Sequence, residues 1–172
     1  SSDVCSSDLV IINSDHTLKV VNEVSVESGS LTFEDDASLV QVNDLAANSG
    51  NIIYKRETTS IFNTDYVYWS SPVAGFTLGG IQTGTLYYSF NASGNSWVRA
   101  STSTGMTAGT GYIVRGAGTG LTTGLTFVKA ATFTGNPING VITTAIGGVN
   151  TSNLIGNPYP SAVDADAFII KN

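Results

Sequence analysis

The chain has 172 residues, of which 12% are charged and 41% are hydrophobic, and its net charge is −6. The low charge content argues against long exposed helices, whose outer faces carry Glu, Lys and Arg, while the hydrophobic content is sufficient for a core. Nucleic-acid binding requires basic patches, and Lys55-Arg56 is the sole adjacent basic pair, so the sequence excludes this class of partner.

The first nine residues contain a short repeat, because Ser1-Ser2-Asp3 recurs as Ser6-Ser7-Asp8. This string resembles the translation of a sequencing adapter, and a natural Ser/Asp-rich tail is the alternative. In either case we expect residues 1–9 to form a solvated, non-native leader without a function. The one cysteine, Cys5, lies in this leader, so disulfides, cysteine-bound zinc and thiol catalysis are not expected in the rest of the chain.

Residues 10–56 predict short strands that are separated by polar turns. Apolar and polar residues alternate over 24–27 and again over 31–34, which is the period of a half-buried strand. Turn-forming residues follow each segment, at 27–30 and 34–38. Two such units at a similar spacing predict one or two β-solenoid-like coils, which bury their apolar faces by stacking on neighbouring coils.

Residues 57–172 predict a β-sandwich module of the jelly-roll-like kind, because several short aromatic-rich strands are punctuated by turns. The fold class is therefore all-β, with at most one short helix, near the C-terminus. We place that helix at about 162–168, with Ser161 as its N-cap and Asp164 completing a Ser-x-x-acid capping box. The chain ends in an apolar run, which favours a module truncated at its C-terminus.

Four motifs carry a resemblance to a known group of proteins: Tyr68-Trp69-Ser70-Ser71-Pro72-Val73, 87–91, 109–115 and 153–160. In this order they resemble a β-sandwich module of large secreted flavobacterial (Bacteroidota) surface proteins that carry a type IX secretion sorting domain. The resemblance implies a bacterial origin and a secreted or cell-surface location, outside the outer membrane. It implies no catalytic residues.

Aromatic side chains are the best candidates for ligand binding. Trp69, Tyr88 and Trp97 lie on or beside predicted strands, where exposed rings could stack against sugars. The alternative is that the rings fill the core. Because side chains alternate along a strand, Tyr66 and Tyr68 share one face and Trp69 lies on the other, so one of these faces must be at least partly exposed.

The sequence favours no catalytic site. His16 is the single histidine and lies in a polar segment, whereas a Ser-His-Asp triad needs a buried, oriented histidine. The acidic cluster 34–36 could bind calcium, but a solvated turn is the simpler interpretation, and we expect no metal and no cofactor.

We therefore predict a non-catalytic structural or adhesive module of a secreted or cell-surface protein. The alternative is a carbohydrate-binding module of a larger secreted enzyme or adhesin. Its partners would be glycans or other surface proteins, and we expect no membrane insertion.

Overall fold

The computed structural model describes residues 8–81, 86–116 and 124–171, and it is an all-β fold with two short helices. The predicted fold class is confirmed. The helix α1 (Leu78–Ile81) was not predicted, and α2 (Ala165–Lys171) lies near the C-terminus as expected. The strands are β1 (Leu9–Ile12), β2 (Thr17–Val20), β3 (Ser30–Phe33), β4 (Ser38–Gln41), β5 (Ile52–Glu57), β6 (Ile61–Phe62), β7 (Tyr66–Trp69), β8 (Tyr87–Asn91), β9 (Ser96–Ala100), β10 (Tyr112–Arg115), β11 (Thr126–Phe127) and β12 (Ala130–Gly135).

The first five strands form parallel stacks with a constant offset along the chain. Leu9 pairs with Ser30 and Leu31 pairs with Ile52, so the two pairs have the same separation in sequence. Strands β2 and β4 pair in parallel with this offset too. The chain therefore winds through solenoid-like coils of constant length. Leu9 opens β1, and the Asp8 carbonyl accepts a hydrogen bond from the Ser30 amide (2.9 Å), so the last two residues of the predicted leader take part in the first coil.

The corners of the coils repeat with the same spacing. Asp15 and Asp36 have φ angles of 64° and 62°, and Gly29 and Gly50 both have φ of 73°. A Cβ atom on Gly50 would lie 2.0 Å from the Val26 carbonyl oxygen, so the tight corner between coils requires glycine for space as well as for conformation.

The parallel stack ends at β5. This strand pairs in parallel with β3 on one side and antiparallel with β12 on the other, where Tyr54 faces Phe133. The edge of β4 meets the C-terminal segment, because the Leu39 amide donates to the Pro160 carbonyl (2.7 Å). Strand β5 therefore belongs to both the coils and the following module, and the predicted division between residues 56 and 57 stays a prediction.

The second four-stranded sheet is antiparallel, in the order β7-β10-β8-β9. Its inner side packs against the first sheet, since the Trp69 ring lies 6.1 Å from that of Phe133, and Phe76 lies 4.6 Å from the same ring. One continuous core thus joins the two sheets, with Phe33, Ile52 and Phe133 fully buried.

The predicted helix cap at Ser161 is wrong. Helix α2 begins at Ala165, three residues later than expected, and the Asp164 carboxylate accepts from the Ala167 amide (2.9 Å). The Ser161 carbonyl instead accepts from the Asn157 side chain (2.6 Å). Asp is as good an N-cap as Ser, and the prolines before Ser161 hold that segment extended, so the helix begins after Asp164.

Candidate binding face

The outer face of the second sheet collects aromatic and basic side chains. Directly paired residues on neighbouring strands point to the same side of a sheet. One such row crosses all four strands and contains Tyr68, Ile113, Tyr88 and Arg99. Residues two positions along each strand join the same face. The aromatic face, as we name it, consists of Tyr66, Tyr68, Tyr88, Phe90, Trp97, Arg99, Ile113 and Arg115.

The rings of this face are exposed to different degrees. Tyr68 is 66% exposed, Trp97 44% and Tyr66 43%. Tyr88 and Phe90 are half-buried, because each contacts an exposed ring edge-on. The Tyr66–Tyr88 ring centroids are 6.1 Å apart at 61°, and those of Phe90 and Trp97 are 5.1 Å apart at 71°. These pairs are not coplanar, so the face is a set of tilted rings and not a flat platform.

Several polar atoms of the aromatic face have unused hydrogen-bonding capacity, although Arg115 is already engaged. Within the described part of the chain, the hydroxyl groups of Tyr66, Tyr68 and Tyr88 make no hydrogen bond, and Arg99 has no ion pair. Tyr hydroxyls can donate or accept, whereas arginine and the indole N–H of Trp97 can only donate. None of the four strands contains an acidic residue. The face therefore offers mainly donors and a local positive charge on an acidic protein.

The structure brings together two of the three predicted ligand-binding residues. Tyr88 and Trp97 lie on the aromatic face, and Trp69 lies on the opposite side of its strand, half-buried against Phe133. The prediction that one face of β7 is exposed is confirmed, and the exposed side is that of the two tyrosines. Arg99 was missed in the sequence, because its place beside Tyr88 depends on strand pairing.

A cleft of about 530 Å³ lies between β5, β7 and the C-terminal segment, and several of its polar groups are engaged within the protein. The Arg56 guanidinium lies 3.9 Å above the Tyr54 ring and donates to the Tyr54 hydroxyl and to the carbonyls of Glu34 and Ala37. The Tyr159 hydroxyl donates to the Gly140 carbonyl (2.6 Å). These contacts hold elements together, and Tyr68 of the aromatic face also lines this cleft.

Tyr54 is a neutral, buried member of this cleft. Desolvation by burial raises its pKa to about 12; the positive charge of Arg56 lowers it, and the carboxylates of Asp35 and Asp36 raise it. The phenol therefore remains protonated at physiological pH and can accept the hydrogen bond from Arg56.

The acidic turn and the histidine do not form a site. Glu34 binds Lys55 (2.8 Å), and the Asp35 carboxylate accepts from the Glu57 amide (2.9 Å), so two of the three acids hold the turn against β5. In residues 8–81, 86–116 and 124–171 no group of three or more potential metal ligands comes together. His16 is exposed, and its Nδ1 donates to the Ser14 carbonyl (2.8 Å).

None of the helices in the described residues is long and apolar enough to span a membrane. Neither the curated proteins nor the solved structures contain a match to this chain. A family model described as "Domain of unknown function (DUF8693)" matches residues 3–172, which is nearly the whole chain. The chain belongs to the DUF8693 family.

Proposed function

We propose that this chain is a non-catalytic structural module that terminates a β-solenoid in a secreted or cell-surface bacterial protein. The observation that carries the proposal is the change of strand direction at β5, which pairs in parallel with β3 and antiparallel with β12. A parallel stack can continue on both sides, whereas an antiparallel partner supplied from further along the chain ends the repeat.

The burial of equivalent residues supports a stack that is closed at one end and open at the other. In one row of the coils, exposure falls from 51% at Val10 to 0% at Ile52, with Leu31 between them. Within the described residues β1 pairs with β3 alone, and its other edge is unpaired. An exposed apolar strand edge favours pairing with another strand, and a further coil of the same repeat length fits it.

Polar groups near β5, at the closed end of the stack, support the proposal that the later module caps the coils. Asn48 lies inside this end, where its side chain accepts from the Val24 amide (2.8 Å) and donates to Gln41 and to the Pro137 carbonyl (2.9 Å). Asn136 reaches back to the Asn48 carbonyl (2.9 Å). The later module thus satisfies backbone groups that a further coil would otherwise have to pair.

A location outside the cell is consistent with the low charge content and with the absence of cysteine beyond residue 5. The solenoid coils bury their apolar rows without disulfides. We propose this location together with the structural role.

Duplication of one coil tests the proposal. A second copy of residues 29–49 inserted after Ser49 should stack between the existing coils, because this segment is one full repeat of the strand register. The urea m-value should rise, since more surface is buried on folding, and the protein should stay monomeric. The matched control inserts the same segment in scrambled order. If both insertions leave the m-value at that of the parent chain, the coils do not extend and the proposal fails.

A further inference from the structure

We propose that the aromatic face binds acidic polysaccharides, with sugar rings on Tyr68 and Trp97 and a carboxylate or sulfate on Arg99. The inference is independent of the solenoid role, since it concerns the other sheet. It rests on three observations: exposed rings, unused donors and the absence of acidic residues on the four strands.

The rings supply the contact with the sugar itself. Tyr and Trp present an apolar body with a polar tip, which suits the C–H surfaces and hydroxyls of a sugar. Tyr68 lies on one edge strand and Trp97 on the other, three strand spacings or about 14 Å apart across the sheet. An extended chain of several sugars can contact both rings, whereas a single sugar cannot.

The donors and the charge select an acidic ligand. Arg99 lies in the row that contains Tyr88 and Tyr68, is exposed and has no acidic partner in the described residues. Guanidinium groups bind carboxylates and sulfates by charge-assisted, often bidentate hydrogen bonds. Indole N–H and guanidinium groups cannot accept hydrogen bonds, so a ligand rich in acceptors fits this face best.

The same face contains little exposed aliphatic surface. Its one aliphatic residue, Ile113, is 9% exposed and already covered by its neighbours. The exposed atoms belong to tilted rings and to polar tips. An acidic polysaccharide uses both kinds of atom.

The test compares two polymers with the same sugar backbone, one charged and one with its carboxylates methylated. Polygalacturonate carries free carboxylates, and its methyl ester carries none on the same sugar backbone. By calorimetric titration, we expect the full chain to bind polygalacturonate at least tenfold more tightly than the ester, which is the size of one charged hydrogen bond. Chondroitin sulfate in a parallel titration distinguishes sulfate from carboxylate as the preferred anion, and tighter binding of either supports the proposal.

Four variants locate the site. R99Q should remove the difference between polygalacturonate and its ester, and Tyr68→Ala should weaken binding of both about tenfold by loss of a stacking ring. Val98→Ala, on the same strand but on the opposite face, and Lys19→Gln, the same charge change on β2, should bind as the parent does.

Three results would overturn the proposal. They are no binding of any acidic polymer, binding of the uncharged ester as tight as that of both acidic polymers, or R99Q binding like the parent. Light scattering adds a fourth: a concentration-dependent dimer that Tyr68→Ala abolishes would show that the face joins two copies of the chain.

Discussion

Two tyrosine–arginine groupings in this molecule have the same chemistry and different surroundings. Tyr54 and Arg56 lie on β5, where the guanidinium stacks on the ring and its donors are paired with carbonyl oxygens. Tyr68 and Arg99 lie on the aromatic face, where the hydroxyl and the guanidinium have no such partners in the described residues. Residue type alone therefore does not mark a binding site, because what distinguishes the two regions is whether their polar atoms are already satisfied.

The largest difference between the regions should appear in packing. Phe133→Ala removes a ring that is 1% exposed and contacts both Trp69 and Phe76, and it should lower the free energy of unfolding by about 3–5 kcal/mol. Tyr68→Ala removes a ring that is 66% exposed, and the loss should stay within about 0.5 kcal/mol. Urea unfolding of both variants measures the contrast. Similar losses would mean that Tyr68 is part of the core.

The two arginines should also differ in how much their loss lowers the free energy of unfolding, with the larger loss at Arg56. Arg56→Ala leaves the Ala37 carbonyl and the Tyr54 hydroxyl without their donor, and the free energy of unfolding should fall by about 2–3 kcal/mol. Arg99→Ala removes no hydrogen bond within the described residues and should change stability by less than about 0.5 kcal/mol. Chemical denaturation of the pair checks this, and a stable Arg56→Ala protein would contradict the structural role of the interior grouping.

High pH offers a test of Tyr54 alone. Its pKa is about 12 in the folded protein and about 10 when unfolded, so the folded state keeps a proton that the unfolded state releases. Stability from this group is therefore complete below pH 10 and is lost as the pH rises towards 12, by about 2 kcal/mol in total. Tyr54→Phe lacks this ionisation. Parallel pH profiles from melting curves should diverge above pH 10, and profiles of equal slope would show that burial does not protect the phenol.

The sequence was informative where the pattern is local. Alternation over 31–34 predicts strand β3, and a turn at 34–37 separates β3 from β4. The same alternation over 24–27 also predicts a strand, and there the structure has only an isolated bridge between Ser25 and Ser49. The repeat of Gly29 at Gly50 and of Asp15 at Asp36 could have revealed the period of the coils, since all four residues have positive φ. Arg99 could not be placed, because its neighbour Tyr88 becomes one only through pairing of β8 with β9. The inward orientation of the Trp69 side chain could not be predicted either, because it depends on packing against Phe133.

Helix α2 contains no buried residue, so removal of its N-cap should have the smallest effect on stability among these substitutions. The Asp164 carboxylate accepts from the Ala167 amide, so Asp164→Ala should destabilise the helix by about 1 kcal/mol. Because no residue of the helix is fully buried, this loss should appear as local fraying: amide hydrogens there exchange about fivefold faster, while the global unfolding midpoint is unchanged. Ser161→Ala is the matched control, since its side chain caps nothing and its carbonyl, which binds Asn157, is retained. Faster exchange in Ser161→Ala than in Asp164→Ala would return the cap to Ser161, and a lowered global midpoint in Asp164→Ala would mean that α2 packs on the core.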